Sequence, residues 1–182
     1  MSSIAITGGA TGTGVISLLA PVTNTNRTIN LPDSNGTIVT SATAGVPING
    51  PAFSAYQSSA QTLSSATNTK LTFTTEEFDT NNCFASSTFT PTIAGYYQVS
   101  GGFTIGSFRT GMSLSIYKNG SNFKKIATDI SANQAQLNGS ALVYLNGTTD
   151  YIDLYGQLAG GQAVSTGAES TYFQAAMVRS AV

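Results

Sequence analysis

The sequence predicts an almost wholly β fold of the sandwich or barrel kind, on three observations. No stretch carries apolar residues at 3.6-residue spacing over three turns, and the Ala, Leu, Glu and Lys mixture that helices favour is missing. Period-two alternation is present instead: Tyr97, Val99, Phe103 and Ile105 lie on one phase, and Met112, Leu114 and Ile116 on that of a second strand. Asn-Gly occurs five times, at Asn35, Asn49, Asn119, Asn138 and Asn146. Each pair supplies the positive φ angles of tight hairpin turns, so short strands with frequent reversals are expected.

The 182 residues suffice for one good-sized domain plus an extension. Apolar residues make up 41%, an ordinary share, but charged ones only 8%, against roughly 25% in an average soluble protein. Solubility therefore rests on Ser, Thr, Asn, Gln and Gly. Seven basic and eight acidic residues, scattered without runs, give a net charge of −1. That leaves no electrostatic footprint for nucleic acid or an anionic membrane, and neither is expected as a partner. Cys83 is the only cysteine, which forbids an internal disulfide, and its expected role is that of a small buried hydrophobe. The start, Met-Ser-Ser-Ile-Ala-Ile-Thr-Gly-Gly, has no basic residue and no long apolar stretch, so a secretory signal is not expected. The run from Val15 to Val22, broken by Ser17 and Pro21, falls far short of the roughly 20 residues that span a bilayer. Synthesis in a cytoplasm, without membrane insertion, is the expectation.

Composition changes once along the chain. Residues 1–50 hold two charges, Arg27 and Asp33, and no aromatic residue; from Phe53 onward aromatics recur every few residues. Pro47, Asn49, Gly50 and Pro51 punctuate the boundary, giving an extended arm and linker over 1–50 and a β domain over 51–182. Four of the Asn-Gly pairs, and Asn26-Arg27-Thr28, also read as glycosylation acceptors, but turn chemistry accounts for the four without sugar.

The C-terminal half carries strands with two apolar phases. In segments 143–145, 151–155 and 172–177, aliphatic residues or Phe fall on one phase and Tyr144, Tyr151, Tyr155 and Tyr172 on the other. One phase can pack on an opposing sheet, whereas the second face of a lone sandwich is normally polar. A homo-oligomer contact built on these tyrosines is expected, because the ring buries area while the hydroxyl still finds a partner. The plainer alternative is scattered surface or loop tyrosines.

No histidine is present, which removes Ser-His-Asp and Cys-His catalysis and histidine-based metal sites. Carboxylates gather as Glu76, Glu77 and Asp79 and as Asp150 and Asp153, but positions 150 and 153 of one strand point to opposite faces, against a shared glycosidase-type site. These groups are read as solvated loop charges, with an inter-subunit hydrogen bond at Asp153. The glycine-rich run from Gly8 to Gly14 lacks the Lys-Ser/Thr of a phosphate loop, and Pro21 blocks the helix such a loop needs. No catalytic residue, cofactor or metal is expected; the chain reads as a non-enzyme.

In order along the chain, Pro51 to Ala55, Leu71 to Phe73, Phe89 to Tyr97, Leu114 to Gly120, Ser140 to Ile152 and Ser170 to Val178 together resemble the trimeric jelly rolls of the complement globular head and the tumour necrosis factor superfamily. Pro51-Ala52-Phe53-Ser54-Ala55 resembles the opening strand, and Leu71-Thr72-Phe73 the next apolar pair. Phe89-Thr90-Pro91 with Gly95-Tyr96-Tyr97 is similar to the family's aromatic-Thr-x-Pro and Gly-x-Tyr segment, and Leu114 to Gly120 to its strand ending in Lys-Asn-Gly. Ser140 to Leu145, Gly147, Asp150 and Ile152 follow the next strand pair, with two threonines between Gly147 and Asp150. Ser170 to Val178 resembles the closing strand, with Ala175 where the family often has Gly. The resemblance implies an antiparallel TNF-like jelly-roll sandwich, homotrimeric, with aromatics near the three-fold axis. The family's calcium ligands have no matching set here.

The arm has its own resemblance. Gly14 to Leu18, Arg27 to Asp33 and Gly36 to Val39 are similar to segments that recur in bacteriophage tail fibres and other virion proteins shortly before a C-terminal domain. This implies a virion structural protein made in the host cytoplasm, with Ile16, Leu18, Leu19, Arg27, Ile29, Leu31 and Asp33 expected to anchor it to the major capsid protein or another virion protein. No heptad or repetitive shaft separates arm from head, which favours a capsid decoration, or cement, protein over a tail-fibre tip binding a host surface glycan. Receptor loops around Phe108–Gly111 or Ala159–Thr166 belong to the second reading. A secreted TNF-like signalling ligand is the third, disfavoured by the expected lack of a signal.

Overall fold

The structure, a computed structural model, describes residues 50–108, 111–130 and 135–181. The described residues contain strands and no helix. In chain order these are β1 (Ala52–Tyr56), β2 (Gln61–Leu63), β3 (Thr69–Lys70), β4 (Thr75–Asp79), β5 (Phe84–Ala85), β6 (Thr88–Phe89) and β7 (Gly95–Thr104). There follow β8 (Met112–Lys118), β9 (Ser121–Asp129), β10 (Gln136–Leu145), β11 (Ile152–Gln157), β12 (Gln162–Val164) and β13 (Tyr172–Ser180).

Two antiparallel sheets face one another. The first runs β10-β7-β13-β1-β4 and the second β5-β6-β11-β8-β9, with β3 also on β11 and a small β12-β2 ribbon alongside. The closing strand thus lies beside the opening one, Ala52 opposite Ala176, and β7 takes β10 as its other neighbour, Thr104 opposite Gln136. Strand order of this kind, two layers with non-sequential neighbours, is a jelly roll. The domain is entered at Gly50 and left after Ser180 at one end of the first sheet, where Gly95 and Leu145 also lie; Thr104 and Gln136 mark the other end.

The expected phases are the buried ones. Tyr97, Val99, Phe103 and Ile105, and Met112, Leu114 and Ile116, are all core. Phe53 stacks on Phe84 at 4.4 Å and Phe89 at 4.7 Å between ring centroids and meets Phe173 edge-on at 5.0 Å, tying both sheets together. The Tyr97 hydroxyl donates to the Ile93 carbonyl at 2.6 Å. Its burial, with a smaller contribution from Cys83, pushes the pKa of that hydroxyl far above the value of free tyrosine. Cys83 is buried, as expected, and Leu71 and Phe73 are buried in extended chain between β3 and β4.

The Asn-Gly pairs divide by role. Asn119 (φ 53°) and Gly120 (φ 77°) are both left-handed and form the β8–β9 hairpin. At Asn146-Gly147 the asparagine Oδ1 accepts from the backbone N–H groups of Thr148, Thr149 and Asp150, closing the turn before β11. Asn138-Gly139, expected as a turn, instead sits within β10. The glycine is needed there because the β9 backbone passes close by: a Cβ at 139 would lie 2.4 Å from the Ile126 carbonyl oxygen. Asn35 and Asn49 lie outside the described residues.

Candidate functional site

The sandwich has two outer walls, and the four expected interface tyrosines are divided between them. Tyr144, on β10, and Tyr172, on β13, point outward from the five-stranded sheet. Tyr155 belongs to the opposite wall, where its ring stacks on Tyr117 at 3.7 Å. Burial, with the charge of Asp153 behind it, raises the Tyr155 hydroxyl above its ordinary value. Tyr151 lies just before β11 beside the β8–β9 hairpin, its N–H donating to Asn119 Oδ1 at 3.0 Å. A single wall bearing all four does not exist: the chain passes from β10 to β11, hence from one sheet to the other, between Tyr144 and Tyr151. Alternation sets the phase within each strand but not the sheet that the strand joins.

The five-stranded wall is the more unusual surface. Tyr144 lies opposite Tyr96 across the β10–β7 ladder with ring centroids 5.5 Å apart, and Tyr172 lies opposite Tyr56 across β13–β1. Leu142 and Val178, 48% and 50% exposed, join the first pair, and Arg179 and Ala181 close a shallow hollow beside them. Between the two tyrosine pairs the outward positions are Gln98, Ser100, Ser140, Ser54, Gln174 and Ala176. On β1, β7, β10 and β13 no outward residue before Arg179 is charged. Tyr96 and Tyr56 were readable from sequence only by their phase, opposite to that of Tyr97 and Phe53.

Charges collect at the margins of this wall. Along the β10 edge, Lys118 Nζ donates to the Tyr144 carbonyl at 2.8 Å and Lys124 Nζ to the Leu142 carbonyl at 3.0 Å, two acceptors that no strand takes up. Both ammonium groups sit near the Phe123 ring, at 5.9 Å and 5.5 Å from its centroid. At the far edge, Ser54 Oγ donates to Glu77 Oε2 at 2.6 Å, and Phe78 is 51% exposed.

The second carboxylate pair is neither solvated nor joined. Asp150 bonds Lys118 at 2.8 Å and the Asn119 amide at 2.7 Å; Asp153 bonds Lys70 at 2.7 Å and the Thr88 hydroxyl. Burial acts to raise the Asp150 carboxyl, but hydrogen bonds from Asn119, Lys118 and the Asn146 backbone outweigh it and hold the group below its ordinary value. Each carboxylate is a buried intrachain partner, which corrects the expectation of loop charges and of an inter-subunit bond at Asp153. Glu76, Glu77 and Asp79 are on strand β4, not in a loop. The expected anchoring residues Ile16, Leu18, Leu19, Arg27, Ile29, Leu31 and Asp33 lie outside the described residues.

A two-layer antiparallel sandwich with this strand order defines the class: a TNF- and complement-1q-like jelly roll. Solved structures of that kind are similar to this chain. The globular domain of zebrafish complement 1qA protein matches with a TM-score of 0.53 and 16% identity, over 72% of this chain and 99% of that one. Murine APRIL matches at 0.56 and 10%, over 71% and 100%, and Eiger TNF from S. frugiperda at 0.52 and 9%, over 74% and 96%. At these identities the likeness shows the fold alone. No family profile matches the chain, and no curated protein matches it.

Proposed function

We propose that this chain is a non-catalytic virion structural protein: a jelly-roll head that self-associates as a homotrimer, fixed to a capsid as a decoration protein by the arm over residues 1–50. The observation that carries self-association is the five-stranded wall, whose paired tyrosines and exposed Leu142 and Val178 lie on four strands where Arg179 is the one outward charge among the described residues. Aromatic enrichment with charge depletion is the composition of an interface centre rather than of a solvated face. Support for the particle comes from the sequence of the arm and its resemblance to virion segments; the trimer comes from the family resemblance of the head. The partner is then the major capsid protein or another virion protein, and the location is the virion, after synthesis in the host cytoplasm.

Deleting residues 1–45 tests the anchoring role. The truncated head should remain a soluble trimer and lose all binding to particles lacking the protein, and undiminished binding would refute attachment by the arm. One observation favours a tail-fibre tip with a host surface glycan as ligand: Phe108 and Ile130, 62% and 86% exposed, lie beyond Thr104 and before Gln136, at the end of the sheet opposite the entry at Gly50. Labelling the protein on intact particles separates the two, at capsid lattice points or at the tail.

A further inference from the structure

The charges at the two edges of the charge-poor wall differ in sign. Beside β10 stand Lys118 and Lys124 with Phe123; at β4 stand Glu76 and Glu77 with Phe78. Lys118 is already neutralised by Asp150. Among the described residues, Lys124, Glu76 and Glu77 take part in no ion pair. They cannot pair within one subunit, because four strand spacings of roughly 4.8 Å separate the edges by about 19 Å.

Their heights along the strands are nevertheless close. Lys124 reaches the carbonyl of Leu142, which is level with Gln98, Ala176 and Ala52 across the sheet. Glu77 is held by Ser54, two residues along β1 and hence about 7 Å higher. A lysine side chain spans that difference. Rotation about an axis running along the strands leaves every residue at its own height, so the basic edge of one copy comes level with the acidic edge of the next. A two-fold axis perpendicular to the strands would set like edges against like, whereas a cyclic head-to-tail contact about an axis along them sets unlike edges together.

We infer that a second copy of this chain docks against the wall head to tail, with Lys124 of one subunit pairing with Glu77 of its neighbour and Phe123 packing near Phe78. This deepens the proposed self-association and rests on it. The pair lies at the rim of the wall, where charges set register and direction rather than bulk affinity.

The test is charge exchange in the full-length protein, read by sedimentation equilibrium over a dilution series. Lys124→Glu alone and Glu77→Lys alone should each raise the dissociation midpoint concentration by about tenfold or more, and combining them in one chain should restore it to near the wild-type value. Added salt should raise the wild-type midpoint and leave that of Lys124→Gln nearly unmoved, a neutral change that also serves if a reversal fails to fold. Single reversals that assemble like wild type, or a double exchange no better than the singles, would overturn the pairing and leave self-association standing. A wild-type protein that is monomeric at every concentration would overturn both.

Discussion

At the scale of single residues, two features dominate. Gly139 gives up its side chain to the β9 backbone, since a Cβ would sit 2.4 Å from Ile126 oxygen and a backbone carbonyl has little freedom to retreat. Gly139→Ala should therefore destabilise the domain by about 2 kcal/mol, the cost of overpacking, visible as a lower urea midpoint with an unchanged slope. Asp150 titrates below its ordinary value of 3.8, so the stability it contributes is present above that pH and disappears as pH falls through the lower folded value. Asp150→Asn should cost about 2 kcal/mol at neutral pH, with the gap to wild type closing only below pH 3.8. Urea midpoints across an acid series check both the size and the direction. Neither role was legible in the sequence. Asn138-Gly139 looks like any other turn pair, and Lys118 and Asn119, two of the three partners of Asp150, stand some thirty residues away.

At the scale of elements, sequence reading succeeded where the cause is local and failed where it is not. Strands β7, β8 and β13 follow from alternation, and the β8–β9 hairpin follows from Asn119-Gly120, because phase and turn chemistry are set within a few residues. The assignment of β10 and β11 to different sheets depends on long-range pairing, and with it went the grouping of Tyr144 with Tyr155. The β10 edge illustrates the same limit: two lysines from β8 and β9 take up its outer carbonyls, a seam closed by side chains instead of a further strand. Replacing Asn119 and Gly120 together by alanine should cost about 1–2 kcal/mol, because two alanines must then hold positive φ. Thermal unfolding of the double variant tests this, and an unchanged melting temperature would mean the turn had re-formed in another geometry.

At the scale of the whole molecule, the two walls have different fates. On the β11–β8 wall Tyr117 stacks on Tyr155 and Lys70 pairs with Asp153. The five-stranded wall leaves paired tyrosines and aliphatics in the open. Tyr96→Ser with Tyr144→Ser should raise the dissociation midpoint of the assembly about thirtyfold or more while changing the folding stability of the head less, since both residues stand outside the core, 40% and 42% exposed. Light scattering on dilution measures the first, and urea denaturation below the dissociation concentration the second. The placement of the chain's comings and goings has a practical corollary. Because β1 sets out and β13 finishes at one pole, a passenger fused behind Ser180 would emerge at the root of the domain, crowded against whatever Gly50 is tethered to. A peptide grafted into the connection after Thr104 would stand at the far pole, free to meet an antibody.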